Sequence, residues 1–244
     1  MEINLKQVYF PIRRKVMQEL LVLKKQIIAC EKCPRLRRYC QKVAEIKKRE
    51  FRDWTYWGKP VPGFGDPSAR FWIVGLAPAA HGANRTGRMF TGDSSGNWLY
   101  RALYQIGLSN KAASLSSDDG LKLRDVFISA AVRCAPPDNK PLPEELNRCA
   151  TYLDAEFEAL KNVRVILATG AIAFRAVCQM LERKNIPLGR PKPKFKHGAY
   201  YDFGSKAVLC SYHPSRQNTQ TGRLTEKMWQ EIFTRLGGAH LLSS

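Results

Sequence analysis

The 244-residue chain is short of acid: 21 Asp and Glu stand against 40 Lys and Arg, a formal net charge of +19. It has no apolar run near the ~18 residues that a membrane-crossing helix requires, so no membrane partner is expected. The opening MEINLKQVYF lacks a basic cap followed by an apolar stretch and does not read as a secretory leader. No internal repeat or low-complexity tract is present. GxxxxGK[ST] and GxGxxG are both missing, which argues against the standard nucleotide cradles. There is no HExxH and no paired-carboxylate motif. Seven cysteines is an odd number, and in a chain expected to be intracellular it argues against a disulfide framework.

What is present is globular composition, 44% hydrophobic, with enough length for one domain and a sizeable core. The charge far exceeds what solubility needs and points to a polyanion; an acidic membrane surface would also suit it, but nucleic acid is the expected partner and membrane is not. Residues 1–52 hold fifteen Lys and Arg against five acids. Arg183 to His197 adds six more basic residues and no acid.

Cys30 and Cys33 form a CxxC, followed by Pro34. Two thiolates at that spacing reach one metal centre, and Cys134 and Cys149 could complete a set of four. Spacing alone leaves iron–sulfur, zinc and no metal all open, because there is no second CxxC. Cys178 and Cys210 sit in apolar contexts and read as buried small hydrophobes, while Cys40 is ambiguous.

Helical spacing of Val16, Leu20, Leu23 and Ile27 predicts a helix over 14–29. Further helices are predicted at 94–106, 143–160, 171–181 and 224–236. Apolar runs at 71–76, 126–132, 163–168 and 206–211 predict strands. Residues 53–69, rich in Gly, Pro and aromatics, read as an ordered loop. Strands that are continuous apolar runs alternating with helices predict an α/β fold. It is a single domain with a central four-stranded parallel sheet, helices on both faces and a basic N-terminal segment over about 14–52. In such sheets ligands bind beyond the C-terminal strand ends. Three polar loops are expected to converge there: 75–93, 133–142 and 212–222.

The first loop reads GLAPAAHGANRTGRMFTGDSSG. Its glycines permit close backbone approach to a ligand. Phe90 suits stacking on a flat ring. Asp93 suits orienting water or stabilising positive charge, and equally suits capping a helix at Ser94. The second, RCAPPDNKPLP, offers Asn139 for positioning water or a base amide, or as an ordinary turn residue. The third, SYHPSRQNTQTGR, places His213 where it meets a developing anion or serves structure alone. Ser215, Arg216, Gln217 and Asn218 suit phosphate and groove contacts.

At these loops the chain resembles a uracil-DNA glycosylase of the family 5 (type b) branch. The matching residues are Gly75 to Ala79, His81–Gly82, Asn84 to Arg88 and Phe90 to Asp93. To these are added Arg133 to Pro137 and Ser211 to Ser215, running on to Arg223. The resemblance covers roughly 30–236 and implies a [4Fe–4S] cluster on Cys30, Cys33, Cys134 and Cys149. It implies that Asp93, Asn139 and His213 do the polar work, that Phe90 stacks on the base, and that Gly75 and Ala77 help line its pocket. Arg85, Ser215, Arg216, Gln217, Asn218 and Arg223 are expected to meet DNA. Uracil-specific relatives carry an acid where this chain has Leu76–Ala77, and an Asn where the second strand ends Ser129-Ala130-Ala131. The family 5 branch shares both absences, which implies a tolerant pocket that also takes hypoxanthine.

The reaction implied is monofunctional hydrolysis of the N-glycosidic bond in uracil-containing duplex DNA, starting base excision repair. The expected setting is a monomer in the cytoplasm of a bacterium or archaeon, associated with the nucleoid. A sliding clamp is a candidate partner, although the tail after Leu236 is too short and generic to name one. The alternative is a non-catalytic iron–sulfur DNA-binding protein of the same fold.

Overall fold

A computed structural model describes the backbone of residues 5–237 and the side chains of 14–236. The first residues of the opening segment and the tail beyond Gly237 lie outside the described residues. Two helices come first, α1 (Leu5–Ile28) and α2 (Pro34–Ile46). Then follow β1 (Phe64–Gly65), β2 (Phe71–Gly75), α3 (Ala83–Thr86), α4 (Ser94–Gln105) and β3 (Val126–Ala130). The second half runs α5 (Pro143–Ala159), β4 (Val165–Thr169), α6 (Ala171–Arg183), β5 (Tyr200–Asp202), β6 (Ala207–Ser211), α7 (Arg216–Gln220) and α8 (Glu226–Gly237).

The sheet has six strands, ordered β1-β3-β2-β4-β6-β5, not the four expected. The four predicted strands are its parallel centre, β3-β2-β4-β6. The two additions are short antiparallel edges. Neither carries an apolar run: β1 is two residues inside the Gly/Pro loop, and β5 is only partly buried.

Every residue of the four central strands is buried, which is why each reads as a continuous apolar run. Alternate side chains still go to opposite faces. Phe71 and Ile73 pack with Leu99 and Leu103 of α4 and with Trp229, Ile232 and Phe233 of α8. Trp72 and Val74 pack with Leu153 of α5 and with Phe174, Val177 and Leu181 of α6. A third core joins Leu23 and Ile27 of α1, Leu36 and Cys40 of α2, and Cys149 and Tyr152 of α5. It fastens the basic N-terminal segment to the rest. A buried ion pair ties the end of β3 to α5: Arg133 Nη2 lies 2.6 Å from Glu156 Oε2, with both side chains 1% exposed.

The order of the sheet fixes where a ligand goes. From β2 the chain crosses to β3 on one side, then to β4 on the other. The connections therefore part above β2 and β4, and a crevice opens there at the C-terminal strand ends.

Candidate active site

All three expected loops reach that crevice. They line a cavity of about 610 Å³ with Leu76, Ala77, Met89, Phe90, Asp93, Asn139, His213, Arg216 and Gln217. A fourth segment, Thr169 to Ala173, running from the end of β4 into the first turn of α6, forms part of the wall. It carries no titratable side chain, so residue type alone offers no chemical hint of it. Its one signal was Gly170 between a strand and a helix, held at φ +101°. A smaller polar cavity of about 350 Å³ adjoins the first, and the two share Ala79, Asp93, Ser94, Asp138, Asn139 and Arg216. Tyr39, Lys48 and Phe51 close its outer side, so the N-terminal segment builds part of the site.

Phe90 has φ +53°, the left-handed region that a bulky residue rarely occupies. Such backbone costs about 1–3 kcal/mol and persists where the surroundings over-determine it. Here the ring presses on Gly75, where an added Cβ would come within 3.0 Å of it. It also stacks on His213, with centroids 5.7 Å apart and planes at 25°. The ring is 5% exposed, and what remains of its surface forms part of the cavity wall. Gly75 is thus buried under Phe90 and does not line the cavity, whereas Ala77 does.

Asp93 is the cap of α4 and also faces the cavities. Its Oδ1 caps α4 by accepting the Gly96 N–H at 2.9 Å. It also lines both cavities. Its Oδ2 lies so near Gly82 that a Cβ there would sit 2.2 Å away, so glycine is what lets the carboxylate in. Burial raises its pKa above the ordinary carboxylate value, against the hydrogen bonds from the Gly96 and Ser95 N–H groups.

Asn139 and Asp138 both have positive φ, +56° and +53°, in a short turn that follows Pro136 and Pro137. This turn lifts Asn139 over the seam between the cavities, and no described residue takes up its side-chain amide. His213 follows β6. Its carbonyl accepts from Asn218 Nδ2 and from the Ser215 N–H, each at 2.8 Å. Burial lowers the imidazole pKa to about 4, so the ring is neutral at neutral pH.

Two expected DNA contacts are turned inward. Arg85 is buried at 3% exposure: its Nε donates to the His81 carbonyl and its Nη2 to the Gly92 carbonyl. Its guanidinium also lies over the rings of Phe51 and Trp54, so it braces the loop from within. Asn218 spends its amide on His213, and Ser215 Oγ accepts the Asn218 N–H as the cap of α7. Arg216 and Gln217 are exposed at the cavity mouth. Arg223 is exposed and lies 4.8 Å from the Tyr212 ring centroid.

Cys30, Cys33, Cys134 and Cys149 gather in the third core, with Cys40 among them. Burial pushes the Cys33 thiol up and the Cys149 thiol up to about 11. Cys134 is raised by its hydrogen bond with Cys40 and by burial. Cys40 also donates to the Ala135 carbonyl at 3.6 Å. Among the described residues, no three Cys, His, Asp or Glu side chains come close enough to hold a single metal ion. The four sulfurs stand together in an apolar shell. Beside it lies Arg133, whose Nε and Nη1 are buried without a partner.

The lowered imidazole pKa has a direct test. An NMR titration of the histidine rings should leave His213 unprotonated well below pH 6.5, with a midpoint near 4. The unfolded chain takes up this proton near pH 6.5 and the folded chain only near 4. The His213 contribution to folding therefore weakens as pH falls through that window. A His213 midpoint near 6.5 would mean a solvated ring and contradict the geometry.

The family model of the uracil DNA glycosylase superfamily matches residues 62–237. The type-5 uracil-DNA glycosylase of Thermus thermophilus is 51% identical, over 85% of this chain and 92% of its own length. The type-5 uracil-DNA glycosylase of Pyrobaculum aerophilum is 46% identical, over 86% of this chain and 88% of its own. A type-4 uracil-DNA glycosylase of the same archaeon is 32% identical, over 81% and 83%. With its buried parallel sheet, its loop-built crevice and these matches, the chain belongs to the uracil DNA glycosylase superfamily.

Proposed function

We propose that this chain excises uracil from DNA by hydrolysing the N-glycosidic bond. The observation that carries the reading is one cavity, lined by Phe90, Asp93, Asn139 and His213, on a chain of net charge +19 in this family. The nucleotide must leave the stack, at a cost of a few kcal/mol that is least for a mispair. The base enters the larger cavity against Leu76, Ala77, Met89 and Phe90. The sugar then faces the smaller, polar cavity, with Asp93 on the shared wall.

Water adds to the sugar C1′ while the C1′–N bond breaks and its electron pair goes to the base. Positive charge grows on the sugar and negative charge on the base. Asp93 stabilises the first and takes the water proton, and Asn139 holds the water. His213, neutral because it is buried, donates a hydrogen bond to the base anion. Among the described residues no lysine lines the larger cavity, and Lys48 of the smaller one is paired with Glu50 at 2.9 Å. The reaction is therefore hydrolysis without strand cleavage by an amine.

The pocket accepts more than uracil. Ser129, near the position where uracil-specific relatives carry an Asn, is fully buried and accepts from Trp72 Nε1 at 2.9 Å. Hypoxanthine is the second base proposed. Exposed Arg216, Gln217 and Arg223 meet the duplex. The setting is chromosomal DNA in the cytoplasm, as expected of a relative of bacterial and archaeal enzymes. Among the described residues no helix is long and apolar enough to cross a membrane.

Cys30, Cys33, Cys134 and Cys149 would hold a [4Fe–4S] cluster. Each cysteine of such a cluster binds a different iron, so its sulfurs stand farther apart than the ligands of one ion. The cluster would supply a structural tie between α1, α2, β3 and α5. Iron and sulfide analysis should find both elements at four per chain for this cluster type. Colourless protein containing zinc would overturn the assignment.

Duplex oligonucleotides bearing one uracil or one hypoxanthine, cleaved by alkali at the abasic site, test the activity. Cleavage of both is expected. Failure on both by folded protein would favour a DNA-binding role without chemistry. Asp93→Asn should slow single-turnover excision by at least ~10²-fold, as the loss of a catalytic base or charge does. A rate near wild type would reduce Asp93 to the cap of α4.

A further inference from the structure

The basic stretch from Arg183 to His197 ends on a residue that no step of the proposed reaction uses. Strand β5 pairs antiparallel with β6, with Tyr200 opposite Leu209, so the chain ahead of β5 returns to the active-site end of the sheet. The Gly198 N–H donates to the Cys210 carbonyl at 2.8 Å and seats His197 beside β6.

His197 holds the residue next to His213 in two ways. The Tyr212 N–H donates to His197 Nδ1 at 3.1 Å. The His197 ring stacks on Tyr212, with centroids 5.0 Å apart and planes at 22°. Ser211 Oγ stands 3.4 Å from the same Nδ1 but donates its proton to the Tyr212 carbonyl at 2.9 Å, which leaves the Nδ1 lone pair for the Tyr212 N–H. An accepting Nδ1 puts the ring proton on Nε2. The ring also hydrogen-bonds the Met228 backbone of α8, and burial keeps it below the ordinary histidine pKa. On Tyr212 itself, the Arg223 guanidinium lies 4.8 Å from the ring centroid.

The His213 imidazole makes no side-chain hydrogen bond within the described residues. Its place is set by Phe90, by Asn218 on its carbonyl, and by the path of the chain through Tyr212. Phe195 and Arg223 pack on the Tyr212 ring and the Ser211 hydroxyl holds its carbonyl, and His197 is the side chain that both takes the Tyr212 N–H and stacks on its ring.

We propose that His197 is a positioning residue: through Tyr212 it holds His213 where the imidazole meets the departing base. The inference rests on the glycosylase reading of the site.

The test compares three variants. Asparagine carries Oδ1 at the same remove from Cβ as Nδ1 and can accept the Tyr212 N–H. Glutamine carries its oxygen one bond farther, near the place of Nε2. His197→Ala should slow single-turnover excision of uracil by up to ~10²-fold, the scale of a 1 Å misplacement, with DNA affinity unchanged. His197→Asn should recover most of the rate, and His197→Gln should not. The NMR resonances of the His213 ring should move in the Ala and Gln variants and stay near wild type in the Asn variant. Should the Ala variant fail to fold, the Asn and Gln pair decides. A wild-type rate in the Ala variant, or equal rates in the Asn and Gln variants, would overturn the proposal. If the wild-type protein itself excises nothing, the glycosylase reading fails, and the His213 resonances alone then judge the positioning.

Discussion

Phe90, held at φ +53° between Gly75 and His213, is the contact on which the site depends. It joins the end of β2 to the end of β6, two strands that are not neighbours in the sheet. A left-handed phenylalanine is unfavourable by itself. It persists because the core on one side and the imidazole on the other leave the ring no other seat. Downstream, the same loop delivers Asp93 to the first turn of α4, and Gly82 gives its carboxylate room. The strain is thus spent in setting an aromatic plate, an acid and a neutral histidine around one cavity.

The charge needs a second reading now that side chains are placed. Not every cation of the +19 faces a polyanion. Arg37, Arg85, Arg88 and Arg133 are all buried. Arg88 is paired with Asp119, Arg133 with Glu156, and Arg37 with Glu31. Such pairs cost desolvation and act chiefly by fixing geometry. Arg88, for instance, ties the first loop to the 114–119 segment through Ser114 and Asp119. The cations that stay exposed include Arg216 and Arg223 near the crevice mouth and many of the N-terminal segment, part of which closes the smaller cavity.

Much of the fold was legible in the sequence because burial on both faces writes an apolar run. The four central strands were found for that reason. The edges β1 and β5 were not, being short and half-wet. Helix α2 escaped because its buried face is only Leu36, Arg37 and Cys40, one of them an arginine. At the site, the loops that bear Asp93, Asn139 and His213 stood out by residue type. What did not show was the direction of a side chain: Arg85 and Asn218 have the chemistry of DNA contacts but turn inward. Nor did the sequence show that Tyr39, Lys48 and Phe51 return to the crevice, since that depends on the third core folding α1 and α2 back onto α5.

The central claim is spatial: the base lies in the larger cavity beside Phe90 and His213, and Asp93 stands on the sugar side. A crystal structure with a duplex carrying one 2′-fluoro-2′-deoxyuridine, which resists hydrolysis, tests it most directly. The account predicts an extruded uracil against the Phe90 ring, a His213 nitrogen within hydrogen-bond distance of a uracil carbonyl, and the Asp93 carboxylate facing C1′. A uracil left in the stack, or a base seated in the smaller cavity with Asp93 away from the sugar, would contradict it.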